Sequence, residues 1–111
     1  MNTAISLLQK WYARHCGEDW EHSYGIKIDT LDNPGWILTI DLADTEFSEV
    51  SLPRNRIDRS EVDWIQSEIS QQRYIACGGV FNLEEMVVEF LIFAGERGVE
   101  NLGASAYDAE S

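Results

Sequence analysis

The strongest constraint on the fold of this chain is a period of two in residues 23–42. Tyr24, Ile26 and Ile28 alternate with Ser23, Gly25, Lys27 and Asp29, and Trp36, Leu38, Ile40 and Leu42 alternate with Ile37, Thr39 and Asp41. Successive side chains of a strand point to opposite faces, so the alternation predicts two half-buried strands with one apolar and one polar side. Asn33-Pro34-Gly35-Trp36 separates them, with Pro second and Gly third, the pattern of a type II turn. A hairpin that pairs Thr30 with Trp36 sets Lys27 opposite Thr39, and Gly25 opposite Asp41, on the polar side. The same parity, extended backwards, turns His22 with Tyr24 toward the apolar side and Glu21 away from it. An acid–base pair acting on one atom is therefore not expected there.

The remaining elements follow from spacing and punctuation. Residues 3–15 read as a helix capped by Thr3, with Ile5, Leu8, Trp11 and Tyr12 on its apolar stripe and Gly17 at its end. Phe47, Val50 and Leu52 suggest a third strand stopped by Pro53, residues 61–70 a fourth, and residues 74–77 a short fifth. Asn82 with Glu85 three residues on forms an Asn version of the capping box. Leu83, Met86, Val87, Phe90, Leu91 and Ala94 then recur at helical spacing until Gly95 or Gly98. The expected architecture is α+β: a two-layer sandwich, with an antiparallel meander sheet of four to five strands and an N-terminal and a C-terminal helix covering one face. Residues 1–98 make a single domain, and residues 99–111, small and acidic without periodicity, read as a disordered tail.

Charge decides which partners are compatible. Twenty acids against eight bases give a formal net charge of −12. Nucleic acid and anionic membranes need a basic patch, so neither is an expected partner, whereas a cationic protein is. The acids are not scattered. Asp29, Asp32, Asp41, Asp44, Glu46 and Glu49 fall in a stretch without a single base, and Arg54, Arg56 and Arg59 follow directly. With Glu61 and Asp63 added from the fourth strand, these carboxylates are the candidate contact surface, on an open sheet face expected to be acidic. Solubility alone is the plainer explanation of an acidic chain. The two cysteines, Cys16 and Cys77, and the lack of a secretory pattern at the start point to free thiols in a cytoplasmic protein, as a monomer or a homodimer.

Catalytic chemistry is weakly signalled. His15, Cys16, Asp19, Glu21 and His22 crowd together, but no C-x-x-C or H-x-x-x-H spacing accompanies them, so no metal and no cofactor is expected. Cys77 precedes Gly78-Gly79 and lies five residues ahead of the helix cap, where a thiolate can be activated. A sulfurtransferase-like enzyme would use such a cysteine with an arginine near the position of Asn82. A buried, inert cysteine fits the same residues. Trp11 and Trp36 sit on apolar stripes; Trp20 and Trp64 are either core residues or exposed anchors.

Several blocks also carry a family resemblance. L-L-Q-K-W-Y at 7–12, C-G-E-D-W-E-H-S-Y-G-I-K-I at 16–28, T-L-D-N-P-G-W at 30–36, I-D-L at 40–42, R-S-E-V-D-W at 59–64 and G-G-V-F-N-L at 78–83 occur in this order. Together they closely resemble the immunity protein 53 family over residues 7–94. The resemblance implies a bacterial polymorphic toxin immunity protein that sits in the producing cell's cytoplasm and binds its cognate toxin domain. It supplies no catalytic residues. An acidic surface suits a basic, nuclease-type toxin, because enzymes that cut nucleic acid carry basic clefts. The alternatives are a small cysteine-dependent enzyme and a homodimeric interaction module.

Overall fold

Helix α1 spans Ala4–His15 in a computed structural model that describes residues 3–102. Its start is a reciprocal cap: the Ser6 N–H donates to Thr3 Oγ1 at 3.0 Å, and the Thr3 N–H donates to Ser6 Oγ at 2.8 Å. Such a cap stabilises a helix by about 1 kcal/mol. The buried stripe is Ala4, Leu7, Leu8 and Trp11. Ile5 and Tyr12, expected on it, are exposed, because Leu7 rather than Ile5 completes the spacing with Ala4, Leu8 and Trp11.

The next element differs from its expected form. Trp20–Ser23 is a one-turn helix, α2, entered through Asp19 at φ 80°, so strand parity does not apply before Tyr24. His22 points to solvent, not the core, and its Nε2 lies 3.8 Å from Glu21 Oε2. Trp20 is buried, and its indole N–H donates to the Ala43 carbonyl at 2.9 Å.

Five strands follow: β1 Ile26–Leu31, β2 Gly35–Asp41, β3 Leu52–Asp58, β4 Trp64–Ser70 and β5 Arg73–Gly78. The β1–β2 register is the expected one, with Thr30 opposite Trp36 and Lys27 opposite Thr39. The Asp41 N–H donates to the Gly25 carbonyl, extending the pairing by one step. The turn differs: Asn33–Pro34 is a cis peptide, and Gly35 is the first residue of β2 without a positive φ. Gly35 is required by close approach instead, since a Cβ there would lie 2.3 Å from the Gly78 carbonyl oxygen.

All strand pairs are antiparallel, in the order β1-β2-β5-β4-β3. The α+β sandwich stands, but the sheet is not one continuous meander. A hairpin, β1–β2, and a three-stranded meander, β3–β4–β5, join through β2 and β5. The physical reason is the segment between β2 and β3. Its Phe47 and Val50, expected in a strand, pack on the core instead, and the segment crosses the sheet end: Leu42 N–H donates to the Gln72 carbonyl, and Gln72 Nε2 reaches the Ser48 carbonyl. β3 is thereby delivered to the far edge, where all seven of its residues are exposed and Pro53 loses no ladder bond that an inner strand would need.

Helix α3, Leu83–Ala94, buries Met86, Val87, Val88, Phe90 and Leu91 against Leu38 and Ile40 of β2 and Tyr74 and Ala76 of β5. Gly95, at φ 70°, caps it. The Asn82 capping box does not form, because the Asn82 side chain is engaged elsewhere. Trp11 sits where the two long helices meet, edge-on to Phe90 and Trp20 with centroids 5.1 and 5.9 Å away. Val99–Asn101 forms a short 3-10 turn, and Val99 and Leu102 pack on the core. The part of the expected tail beyond residue 102 lies outside the described residues. Among the described residues, no helix is long and apolar enough to cross a membrane.

Gly35→Ala should therefore destabilise the fold by about 1–3 kcal/mol, the cost of overpacking. Gly25→Ala, where a Cβ meets nothing within 4 Å, should change stability by less than about 0.5 kcal/mol. Urea denaturation of the two variants distinguishes a steric requirement at Gly35 from a general preference for glycine in this hairpin.

Candidate functional site

The sheet face away from the long helices is not the acidic surface that the sequence suggested. Strand register puts Lys27, Asp29, Thr39, Asp41, Cys77 and Glu68 on it. The bases of β3 and β5 then reach across. Arg54 Nε lies 3.2 Å from Glu68, Arg56 Nε 2.8 Å from Asp58, and Arg73 Nε 3.4 Å from Asp41. Arg56 also stacks over the Trp64 ring at 4.5 Å, which explains why Trp64 is buried although its side chain is on the open face. Anions and cations on this face nearly cancel.

The eight candidate carboxylates separate into groups. Asp29 and Asp41 lie on the open face, and Asp41 is engaged internally, accepting from the Gly25 N–H at 2.9 Å as well as facing Arg73. Asp44, Glu46 and Glu49 lie on the connection at one end of the sheet, beside α2 and the end of α1. There Glu46 faces His15, whose ring is held by the Trp11 carbonyl and packs at a tilt against the Trp11 indole. Asp32, in the hairpin turn, and Glu61 and Asp63, in the β3–β4 turn, lie at the other end. A seven-residue strand spans about 20 Å, so these two ends cannot contact one compact epitope together. Asp44, Glu49, Asp32 and Glu61 are exposed and make no ion pair among the described residues.

Asp63 has an internal role. Arg59 donates to Asp63 at 3.1 Å and also binds Glu85, while Asn82 Nδ2 donates to Asp63 at 2.9 Å and to Glu85 at 3.1 Å. Asn82 Oδ1 accepts from the Trp64 N–H. This network fastens the β3–β4 turn to the start of α3. Arg59, and then Asn82, hold the Asp63 carboxyl below the ordinary aspartate range. At the opposite end of α3, buried Glu96 takes a two-pronged ion pair from Arg14, joining the two long helices.

The candidate catalytic residues are not brought together. Cys77 lies mid-sheet between Ile37 and Gln66, and burial pushes its thiol up, away from the reactive thiolate. His22 stands on α2 at one end of the sheet. Among the described residues, no three His, Cys, Asp or Glu side chains are grouped to hold a metal ion.

Clefts open beside the sheet among the described residues. One, of about 680 Å³, lies around Tyr24, Lys27 and Asp41. A second, of about 730 Å³, is lined by Pro34, Arg56, Glu61, Val62, Trp64 and Val80. Beside the second, Phe81 is 89% exposed, Val62 60% and Val80 36%. No periodicity marks these three residues. Their signal in the sequence is two large apolar side chains between Gly79 and Asn82, where small or polar turn residues are the rule.

The described residues form a small α+β domain of an acidic chain. The model of the immunity protein 53 family matches residues 5–94, and the chain belongs to that family. No curated protein and no solved structure matches it. Family membership gives the protein an immunity function, with a cognate toxin as its partner.

The Asp63 pair sets a dependence on pH. Because the folded-state pKa is depressed, the stabilisation is complete above the ordinary aspartate value and is lost as pH falls through the lower, folded value. Asp63→Asn should have a lower urea midpoint than the native chain at pH 7. The gap should close on acidification below about pH 4, the ordinary aspartate range. An unchanging gap would mean that the ion pair is not what Asp63 contributes.

Proposed function

We propose that the protein neutralises its cognate toxin by stoichiometric binding, and that the toxin domain is basic and of nuclease type. The family match over residues 5–94 carries this reading. The net charge of −12 supports the basic partner, since opposite charge speeds encounter and suppresses wrong partners. Inhibition without catalysis is supported by the raised thiol of Cys77 and by its separation from His22. Of the eight candidate carboxylates, the proposed electrostatic contacts are one sheet-end group or the other, Asp44, Glu46 and Glu49 or Asp32, Glu61 and Asp63, with Asp29 and Asp41 on the open face between them. Those without an internal partner contribute most, because a partnered carboxylate gives up an existing bond on binding. The proposed compartment is the cytoplasm of the producing cell.

The test uses the purified protein and an inactivated C-terminal toxin domain encoded immediately upstream. A one-to-one complex should form, and its association rate should fall about tenfold or more between low and high salt. A rate indifferent to salt would remove the electrostatic part of the reading, and no complex would remove the reading itself. Neutralising pairs of carboxylates, Asp44→Asn with Glu49→Gln or Asp32→Asn with Glu61→Gln, leaves every described hydrogen bond intact and reports which end of the sheet the toxin approaches.

Cys77→Ala and His22→Ala should both protect cells as well as the native protein does. Loss of protection in a folded Cys77→Ala variant would favour the cysteine-dependent enzyme instead.

A further inference from the structure

The end of the sheet beside Pro34 combines features that the acidic-surface reading does not use. Gly79 to Asn82 is a tight turn closed by the Asn82 N–H donating to the Gly79 carbonyl at 3.0 Å. Val80 and Phe81 occupy its tip, positions where glycine, proline and small polar residues are usual. The turn is held from several sides. The Trp36 indole N–H donates to the Val80 carbonyl at 3.0 Å, and Gly79 N–H donates to the Trp64 carbonyl at 3.1 Å. Gly79 packs so closely on the β3–β4 turn that a Cβ would lie 2.3 Å from the Val62 carbonyl oxygen. The backbone that carries an 89% exposed phenyl ring is thus held from several sides.

Nothing in the fold requires that ring outside, since leaving it in water forfeits the burial that a phenylalanine normally supplies. Charge surrounds it asymmetrically. Asp32, Asp58, Glu61, Asp63, Glu84 and Glu85 lie on the neighbouring turns, strand end and helix start, against Arg56 and Arg59, which are both paired with carboxylates. An apolar centre within a charged rim is the anatomy of a protein interface, and a rigid aromatic at its centre is the usual hot spot. Preorganisation lowers the entropy cost of docking it.

We propose that Phe81 is the anchor of the toxin interface. It would enter an apolar pocket on the cognate toxin that is ringed by basic side chains, with Val62 and Val80 completing the apolar contact and Asp32 and Glu61 facing the bases. The inference rests on the toxin-binding reading above and specifies the surface that reading leaves open.

The experiment measures the affinity and kinetics of the full chain for the inactivated toxin domain. Phe81→Ala should weaken binding about 30-fold or more, mainly through faster dissociation, with no change in the urea midpoint. Phe81→Leu should recover part of the loss. Ile92→Ala, which removes an exposed apolar side chain near the opposite end of α3, should leave the dissociation rate unchanged. Native-like binding by Phe81→Ala, with the native chain bound tightly, overturns this inference and leaves toxin binding standing. Failure of the native chain to bind overturns both. A ¹⁹F-labelled phenylalanine at 81 should contact solvent in the free chain and lose that contact when toxin is added. Shielding in the free chain would assign the turn to an occupant within the chain or to a second copy, and would also overturn the inference.

Discussion

β2 and β5 pair over six register positions, from Trp36–Gly78 to Asp41–Arg73, and this pairing turns two marginal pieces into one sheet. A lone hairpin is barely stable in water, and a three-stranded meander needs a covered face. Joined, they present Leu38, Ile40, Tyr74 and Ala76 as a continuous floor for α3. The seam is tightest at the glycines. A Cβ on Gly78 would lie 2.7 Å from Met86 Sδ and 3.1 Å from the Trp64 carbonyl oxygen, while one on Gly35 would strike Gly78 itself. Backbone therefore meets backbone where β2, β4, β5 and the start of α3 converge. The Gly79–Asn82 turn leaves this crowded point with little freedom to relax.

What the sequence disclosed and what it concealed separate along physical lines. The β1–β2 register was legible because alternation fixes parity, and a one-residue slip would put Leu38 and Ile40 in water. α3 was legible because Met86, Val87, Phe90 and Leu91 bury one stripe. α2 was not, since four residues are too few for a period, and Trp20–Ser23 continues the alternation of β1 by accident. β3 was misplaced because every residue in it is exposed, so its pattern carries no record of a core. The strand order was beyond local reading, as it depends on how residues 42–51 pack across the sheet end.

The same distinction governs the candidate surface. The run of acids between Asp29 and Glu49 is continuous in sequence, but the strands carry its members about 20 Å apart. Arg54 and Arg56, which follow the run, return to the open face and cancel its charge. Proximity along the chain was therefore a poor guide to the field. Asn82 shows a related exchange: its residue type suggests a cap, yet its amide ties Asp63 and Glu85 to the Trp64 backbone. The side chain satisfies buried groups instead of the helix end, and this fixes the orientation of the turn that presents Val62.

Five of the six arginines, Arg14, Arg54, Arg56, Arg59 and Arg73, form ion pairs within the chain. Their carboxylate partners are thereby committed, and the remaining acids generate most of the field that an approaching protein meets. Apart from the Arg14 pair with buried Glu96 and the Arg59–Asp63 network, these exposed ion pairs add little to stability, so their effect is chiefly on the distribution of charge. Pairing offsets these cations locally and leaves the excess negative charge on turns and helix ends. Screening limits that field to about 8–10 Å at ordinary salt, so only carboxylates close to a contact can strengthen it. Beside the Gly79–Asn82 turn, Glu61, which makes no ion pair among the described residues, lines the same cleft as the exposed Val62 and Val80. On the proposed interface, charge there would speed encounter and the apolar centre would slow dissociation, so a single surface would carry both parts of binding.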